Sequence, residues 1–365
     1  MTKLIREDFL KTISIAGRFV PVRPSLPVLA NMLLEADKGI LRVSTTNLDS
    51  SVRLVLPAKS EGVWKITTPA KILTDFIGSA VDKEVSLEVD KENLLVASGE
   101  IKGIFAGISA SEFPTLPEAT EEGSEFEYHE LQEAVNNVAF AASSDEAKPI
   151  LTGIFINQEA GGTIIVATDG YRLAKKTLGK KYEFNQVVIP ARTLVESLRI
   201  AGEMGEPSVR LVVAKGKNQT LLVGENFQIA SRLLSGTYPQ FQQIIPNDFV
   251  NSFTVDKDKL TAAIKATAVF ARDLGNVVRF NLTKNALKLT ASTAQVGEGA
   301  ATLEVAGGGS EIKIAFNSRF ILEGLSAIGT TTVEVKFSGP LSPAAICGRG
   351  EKDFLYIIMP VKSQT

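Results

Sequence analysis

The sequence predicts an α+β protein made of three copies of one domain, each with two helices and antiparallel sheets. A strand that runs into an amphipathic helix occurs three times, and its basic residues Lys71, Arg192 and Arg319 are 121 and 127 residues apart. Each copy also closes on an apolar residue followed by proline, at Phe113-Pro114, Tyr238-Pro239 and Met359-Pro360. A period of this length indicates a domain, because solenoid repeats are much shorter.

The domain bounds follow from the repeat and from one acidic segment. We place the three domains at residues 1–121, 122–246 and 247–365, which suits a chain of 365 residues. Residues 118–125 carry no apolar side chain larger than alanine and predict a linker. The composition, 44% hydrophobic and 22% charged, is typical of a globular protein, and no apolar run is long enough to cross a bilayer.

Two helices are predicted in each domain. The first helix of each copy carries two apolar residues four positions apart, on one helical face: Phe9 with Ile13, Leu131 with Val135, and Leu260 with Ile264. The six helices are predicted at residues 6–19, 69–80, 128–142, 190–203, 256–273 and 317–328. Pro69 and Pro190 suit the first helical position, where no backbone N–H is needed, and Asn317 or Ser318 can cap the last helix.

Short β-rich segments bounded by turn residues fill the rest of each domain as an antiparallel meander. Examples are residues 32–36, 40–44 and 52–56 in the first domain, 152–157 and 163–167 in the second, and 354–360 in the third. Asp169-Gly170 is a turn signal between two such strands. Gly307-Gly308-Gly309 lacks the lysine of a phosphate-binding loop and predicts another hairpin turn.

The charge distribution along the sequence does not predict a basic surface that would attract nucleic acid. The formal net charge is −2, and the Lys and Arg of the six predicted helices balance their Asp and Glu. A surface that attracts DNA is normally basic. We therefore expect any contact with DNA to depend on local arrangement rather than on bulk attraction.

Residues for catalysis and for metal binding are scarce. His129, at a predicted helix start, is the single histidine, and Cys347 is the single cysteine. A serine nucleophile would lack a histidine base, and neither a multi-histidine nor a thiolate-rich metal site can be built. We predict no enzyme activity and no cofactor, with a hydrolase or transferase on repeated α+β domains as the alternative. The N-terminus alternates acid and base before any apolar signal-peptide core, which predicts a cytoplasmic protein.

Three consecutive side chains after the Asp169-Gly170 turn suit peptide recognition. Tyr171, Arg172 and Leu173 offer an aromatic ring, a guanidinium and an aliphatic chain. Side by side, these groups would grip an apolar peptide that carries a polar or acidic flank. An ordinary hairpin without a binding role is the competing interpretation.

Four motifs together resemble the bacterial sliding clamps, the beta subunits of DNA polymerase III. They are residues 23–29, residues 167–174, Tyr238-Pro239 with Ile245-Pro246, and residues 356–362. The resemblance spans the whole chain and implies a six-domain ring, closed head to tail by two three-domain subunits, with helices lining a central hole. It implies a non-catalytic processivity factor that encircles double-stranded DNA. The implied partners are the catalytic subunit of DNA polymerase III, the clamp loader, other DNA polymerases and repair proteins, bound through short linear motifs.

The site residues of that family carry over to this chain position by position. Its peptide-binding cleft would lie between the second and third domains and would be formed by Leu151, Thr168, Gly170, Tyr171, Arg172, Leu173, Pro239, Gln243, Ile244, Leu341, Pro343, Ile358, Met359, Pro360 and Val361. Tyr171 stands where some members have histidine, and Gln243 where some have arginine, which leaves the peptide preference open. For DNA binding, the resemblance implies Arg23 and Lys148.

Ring closure would join the first domain of one chain to the third domain of another. The candidate contacts are Phe76, Ile77 and Phe105 on one side, and Val269 and Phe270 on the other. Packing inside a domain core is the alternative role for these five side chains. The balanced helix charge suits a ring that slides, because strong phosphate pairing would hold it in place.

Overall fold

The computed structural model describes residues 1–119, 122–182, 186–214, 218–293 and 297–361. The chain forms two compact units, one from residues 1–129 with 196–233 and the other from residues 130–195 with 234–365. Each of the six predicted helical regions holds an α-helix: α1 Arg6–Gly17, α2 Ala70–Ser79, α3 Tyr128–Ala139, α4 Ala191–Met204, α5 Lys257–Ala268 and α6 Ser318–Ala327.

The strands are short and follow the predicted meanders. Up to residue 127 they are β1 Thr2–Ile5, β2 Asn31–Asp37, β3 Ile40–Thr46, β4 Ser50–Pro57, β5 Lys59–Ser60, β6 Trp64–Pro69, β7 Glu84–Asp90, β8 Asn93–Ser98, β9 Ile101–Ala106 and β10 Ser124–Glu127. The next are β11 Gly153–Glu159, β12 Gly162–Thr168, β13 Arg172–Leu178, β14 Val187–Pro190, β15 Ser208–Ala214, β16 Gln219–Val223 and β17 Phe227–Arg232. The last are β18 Asn251–Asp256, β19 Val277–Leu282, β20 Ala286–Thr293, β21 Gly297–Glu304, β22 Ala306–Gly307, β23 Ile312–Asn317, β24 Thr332–Phe337, β25 Ala344–Gly348 and β26 Phe354–Ile358.

The first unit contains two antiparallel sheets. One has five strands in the order β5-β1-β7-β8-β9, so that β9 lies at its end. The other has eight strands in the order β10-β15-β16-β17-β4-β3-β2-β6. At its centre β4 pairs with β17, with Ser50 opposite Ser231 and Val52 opposite Ile229. This pairing joins strands of the first and second predicted domains in one sheet.

The second unit repeats the arrangement. Its nine-stranded sheet has the order β14-β11-β12-β13-β26-β25-β24-β18-β22, and its four-stranded sheet has the order β21-β20-β19-β23. Here β13 pairs with β26, with Arg172 opposite Ile358 and Ala174 opposite Tyr356. Strands of the second and third predicted domains therefore share a sheet, and β21 lies at the end of the other.

The helices bury the apolar pairs that predicted them. Phe9, Ile13, Leu131, Val135 and Ile264 are fully shielded from solvent. Burial of this kind stabilises a helix more than its intrinsic propensity does. The spacing of four residues was therefore a sound guide to which helical face enters the core.

The helix starts differ from the prediction at the two prolines. Pro69 precedes the first residue of α2, and Pro190 ends β14 opposite Gly153, so neither is the first helical residue. Their backbones still belong to the preceding strands, which explains the shift by one position. The cap of α6 is confirmed, because Asn317 Oδ1 accepts a hydrogen bond from the Arg319 N–H at 2.9 Å.

Two loop predictions also need correction. Ser124 and Glu125, assigned to the linker, open β10 and pair with β15, while Thr120 and Glu121 lie outside the described residues. The Gly307–Gly309 segment is not a hairpin turn. It leaves β22, which pairs with β18, and leads to β23 in the other sheet. In the part of the chain that the structure describes, no helix has both the length and the apolar character that a bilayer crossing needs.

Candidate functional site

The predicted turn at Asp169-Gly170 is confirmed, and its own side chains fix it. Thr168 Oγ1 donates to the Arg172 carbonyl at 2.6 Å and accepts from the Gly170 N–H at 3.1 Å. Asp169 Oδ1 accepts from the N–H groups of Tyr171 and Arg172 at 2.8 and 3.0 Å. Gly170 has a φ of 92°, which suits glycine. The turn therefore holds Tyr171 in a defined position at the surface.

The three side chains after this turn do not lie side by side, contrary to the prediction. Tyr171 is 66% exposed, whereas Leu173 is fully buried. Arg172 projects to the opposite face of the sheet from Leu173, because successive side chains of a strand alternate. On the side of the predicted peptide-binding cleft, here called the groove, the Tyr171 ring is thus accessible, whereas Leu173 is buried and the Arg172 guanidinium lies on the other face of the sheet.

Arg172 is engaged inside the protein. Its Nε lies 3.0 Å from Asp169 Oδ2, one terminal nitrogen pairs with Glu323 of α6, and the other donates to the Phe140 carbonyl at 2.6 Å. The guanidinium also lies over the Phe320 ring, 4.3 Å from its centroid. Arg172 thus connects β13 to α6 and to Phe140, the residue that follows α3.

The charges around Arg172 reinforce one another. Burial alone would lower the pKa of Arg172, but hydrogen bonding to Glu323 and the nearby negative charges raise it. Burial would raise the pKa of Glu323, but its hydrogen bonds to Arg172 and Arg319 lower it. Both groups are therefore held in their charged forms. Because Arg172 is held by these ion pairs, its guanidinium is not free to bind an acidic peptide flank.

An apolar cluster lies under the groove. Leu173 packs there with Phe155, Val166, Tyr238 and Ile357, among others. The rings of Phe155 and Tyr238 stack with centroids 4.8 Å apart. Burial raises the pKa of the Tyr238 hydroxyl. These side chains form a continuous apolar layer on this face of the sheet.

One rim of the predicted groove would come from the segment that follows Tyr238. Phe241 is buried in the apolar cluster and anchors the 3₁₀-helix Phe241–Ile244. Pro239, Gln243 and Ile244 remain exposed on this segment. The Gln243 side chain donates to Gln240 Oε1 at 2.6 Å. The neutral amide thus occupies the rim position where the resemblance allows arginine.

The opposite rim of the predicted groove would come from the C-terminal segment. The Met359 N–H donates to the Tyr171 carbonyl at 2.9 Å, which places Met359 beside Tyr171. The Val361 N–H donates to the Ala315 carbonyl at 2.8 Å. Leu341 and Val361 line one cavity of about 360 Å³. Pro343, two residues after Leu341, and Pro360, next to Val361, are half-buried.

Five of the predicted groove residues are buried, including Arg172 and Leu173 described above. Leu151 and Thr168 are buried behind the rim, and Ile358 is fully buried opposite Arg172 in the ladder. Ile358 therefore lies on the opposite face of the sheet from Leu173. The residue opposite Leu173 is Ile357, which the prediction missed together with Phe155, Tyr238 and Phe241. The period-two alternation of β26 was the signal that would have separated Ile357 from Ile358.

The predicted DNA-contacting residues are exposed. Arg23 lies in the loop between α1 and the 3₁₀-helix Pro27–Ala30, in the first unit. Lys148 immediately precedes the 3₁₀-helix Pro149–Thr152, in the second unit. Both are accessible to a large ligand.

The interface candidates divide into exposed and buried residues. The rings of Phe76 and Phe105 meet edge to face, 5.3 Å apart, while Ile77 is fully buried. Val269 is about half exposed. Phe270 packs so closely over Gly299 that a Cβ there would lie 2.3 Å from the ring. Ile77 can therefore only support an interface from within, whereas Val269 can contact a partner directly.

Comparison with known proteins decides the family. The N-terminal, central and C-terminal domains of the DNA polymerase III beta subunit match residues 2–117, 125–240 and 242–362. The beta sliding clamp of Synechococcus elongatus is 33% identical over 374 residues, covering 99% of both chains. The chain belongs to the beta sliding clamp family.

Solved structures agree with this assignment. The DNA polymerase III beta subunit of Pseudomonas aeruginosa is 25% identical, with a TM-score of 0.93 and complete coverage of both chains. Another structure of the Pseudomonas aeruginosa clamp, at the same identity, TM-score and coverage, is bound to griselimycin. The three clamp domains and the mixture of helices and antiparallel sheets are thereby confirmed. The chain is a DNA sliding clamp, a processivity factor of replication.

Proposed function

We propose that two copies of this chain close head to tail into a six-domain ring around double-stranded DNA, and that the groove recruits replication and repair proteins to it. The proposed ring is supported by a strand pairing between successive domains, which we call a sheet junction. Two sheet junctions form within the chain, and the strands that correspond to a third are not paired with each other in the described residues. The proposal assigns the chain no catalytic step.

The two completed junctions are equivalent. The Thr168 turn has a counterpart at Thr46, whose Oγ1 donates to the Ser50 carbonyl at 3.0 Å and accepts from the Leu48 N–H at 3.0 Å. Ser50 therefore corresponds to Arg172, and each begins a strand that pairs antiparallel with the last strand of the following domain. The partners are Ser231 and Ile358, respectively.

The two strands of a third such junction are β21 in the third domain and β9 in the first, and they are not paired with each other in the described part of the chain. Thr293 ends β20 as Thr46 ends β3, so Gly297 at the start of β21 corresponds to Ser50. Ala106 of β9 corresponds to Ser231, because the two stand at the same distance before Pro114 and Pro239. Strands β21 and β9 lie at sheet ends. Unpaired strand edges are templates for pairing with another chain.

Side-chain exposure supports the same junction. Ile104 of β9 corresponds to Ile229 and Tyr356, which belong to the two completed junctions and are 1% and 0% exposed. Ile104 is 72% exposed. A large apolar residue on an open edge has the chemistry of a partner contact.

The equivalence also gives the register between two subunits. Gly297 of one copy would pair with Ala106 of the other, Gly299 with Ile104, and Thr302 with Ile101. Ile104 would then lie beside Phe270, which packs on Gly299. Phe76 and Phe105 would flank this contact on one subunit and Val269 on the other.

Cysteine pairs test this register. Directly opposed residues in neighbouring strands are close enough for a disulfide, and residues one register apart are less well placed. Chains carrying both Thr302→Cys and Ile101→Cys should give a covalent dimer on a non-reducing gel. The pair Thr302→Cys and Lys102→Cys is the matched control and should give less covalent dimer. Each single variant should run as a monomer on the gel. Equal crosslinking by both pairs would contradict the register.

DNA would be retained by closure of the ring rather than by phosphate pairing. Balanced helix charges and exposed Arg23 and Lys148 suit contacts that guide DNA without fixing it. The groove would take short motifs with apolar anchors, since its floor is apolar and its rims carry Tyr171, Ile244 and Met359. The clamp from Pseudomonas aeruginosa that is bound to griselimycin shows that a relative of this fold holds a ligand.

A further inference from the structure

The cavity that Leu341 and Val361 line adjoins the proposed groove and lies against the four-stranded sheet. It has a volume of about 360 Å³, and Leu341 and Val361 of the groove rim form one of its walls. Its floor is formed by β19 and β23, including Arg279, Asn281 and Lys313. The cavity therefore continues the groove past the C-terminal segment.

The strand register brings cations together on this face. Asn281 lies opposite Lys288 on one side and opposite Lys313 on the other, so the three share one face of the sheet. Arg279, two residues earlier in β19, projects to the same face. Among the residues that the structure describes, none that lines the cavity is acidic, and Arg279 makes no ion pair. Lys313 has only an exposed contact of 3.5 Å with Glu311.

An unpaired polar atom lies among these cations. Asn281 Oδ1 is buried and has no hydrogen-bond partner within the described part of the chain. A buried acceptor without a partner is costly, so a ligand that supplied a donor to this atom would gain a favourable hydrogen bond. A backbone N–H of a bound peptide is a suitable donor for Asn281 Oδ1.

We propose that this cavity binds an acidic segment with an apolar side chain, which directly flanks the groove-binding motif of a partner protein. Arg279 and Lys313 attract its carboxylates, Asn281 Oδ1 accepts a backbone N–H, and Leu341 and Val361 contact the apolar side chain. The inference rests on the proposed groove and extends it. It assigns part of the affinity and selectivity of partner binding to the flank rather than to the motif.

Fluorescence anisotropy with labelled synthetic peptides tests the inference. The reference probe is a hexapeptide bearing Leu and Phe. Two extended probes add Glu-Leu-Glu to its amino end or to its carboxyl end, and two further probes add Gln-Leu-Gln instead. One acidic extension should tighten binding about fivefold to tenfold, because each charge-assisted contact at a partly exposed site adds modestly to affinity. The glutamine extension at the same end should increase the affinity less than the acidic extension does.

Substitutions in the cavity separate the two sites. Arg279→Glu and Lys313→Glu should each remove the gain from the acidic extension and leave the affinity for the plain hexapeptide unchanged. Lys65→Glu, on the exposed face of β6, is the matched charge control and should change neither affinity. Asn281→Leu should reduce the gain in affinity that the acidic extension provides, and the size of this reduction should not depend on the salt concentration.

The outcomes distinguish the proposals. If the plain hexapeptide binds but neither acidic extension tightens binding, the cavity inference is overturned and the groove stands. The same holds if the gain survives both charge reversals. If the plain hexapeptide does not bind at all, the groove fails and the extension fails with it.

Discussion

Arg172→Met should lower the local stability of β13 and α6 more than substitution of an exposed residue in the same ion-pair network does. The substitution removes the guanidinium and keeps a flexible apolar side chain. It leaves Asp169 and Glu323 without their buried partner and leaves the Phe140 carbonyl without its donor. The strands β13 and β26 should remain paired, because their ladder does not involve the side chain.

The magnitude follows from burial. Removing one partner of a buried ion pair costs about 3–5 kcal/mol when the remaining charge stays buried. The Arg172 side chain is 8% exposed and that of Glu323 is 28% exposed, so partial hydration of Glu323 reduces the expected cost to about 2–4 kcal/mol. Arg319→Ala is the matched control, because Arg319 binds the same Glu323 at 2.8 Å but is 75% exposed. An exposed pair contributes less than about 1 kcal/mol.

Hydrogen exchange measured by mass spectrometry is the suitable assay. The single tryptophan, Trp64, lies in the first unit, so its fluorescence would not report on β13 or α6. Exchange gives the free energy of local opening for each segment. Arg172→Met should lower this free energy in β13 and α6 and leave β1 to β9 unchanged.

The effect should depend on pH. The pKa of Glu323 is lowered in the folded protein, so its pairing stabilises the protein above the pKa of an unfolded glutamate, about 4.3, and this stability is lost as pH falls through the folded value. The difference between wild type and Arg172→Met should therefore be full at pH 7 and shrink under acidic conditions. Equal costs for Arg172→Met and Arg319→Ala, or a difference that persists at acidic pH, would refute this account of Arg172.

Three further predictions concern assembly, the groove and DNA. Phe270→Arg places a charge beside the proposed partner contact and should give monomers in light scattering, whereas an intact dimer would contradict the interface. Deleting the chain from Met359 onward should weaken hexapeptide binding at least tenfold, since it removes one rim, while far-ultraviolet circular dichroism stays unchanged; unaltered affinity would move the site elsewhere. After loading on a nicked circular plasmid, the protein should survive a high-salt wash and leave when the plasmid is linearised. Equal retention on circular and linear DNA, judged by gel filtration, would exclude topological binding.

The helices and the turn could be predicted from the sequence more accurately than the residues that pack against them. Helices at Phe9 and Ile13, or at Leu131 and Val135, follow from spacing that any chain must satisfy to bury one helical face. The Asp169-Gly170 turn was predictable for the same local reason, since its hydrogen bonds stay within five residues. Such features need no knowledge of what packs against them.

The groove could be predicted only in part. Of the predicted groove residues, Tyr171 and Met359 are exposed, whereas Arg172 and Ile358 are buried on the opposite face of the sheet from Leu173. The fate of Arg172 depends on Glu323, which is 151 residues away in the chain. No local pattern reports such a contact. The open edges at β9 and β21 were likewise invisible until the order of the strands was known.

The order in which the two sheet junctions are completed matters during synthesis. Strand β4 leaves the ribosome long before β17, its partner in the eight-stranded sheet, and β13 waits in the same way for β26 near the end of the chain. Pairing between such distant segments is slow, and an unpaired edge can associate with other nascent chains in the interval. Translation speed and chaperone binding between residues 57 and 227 should therefore influence the yield of native protein more than events near the start of the chain.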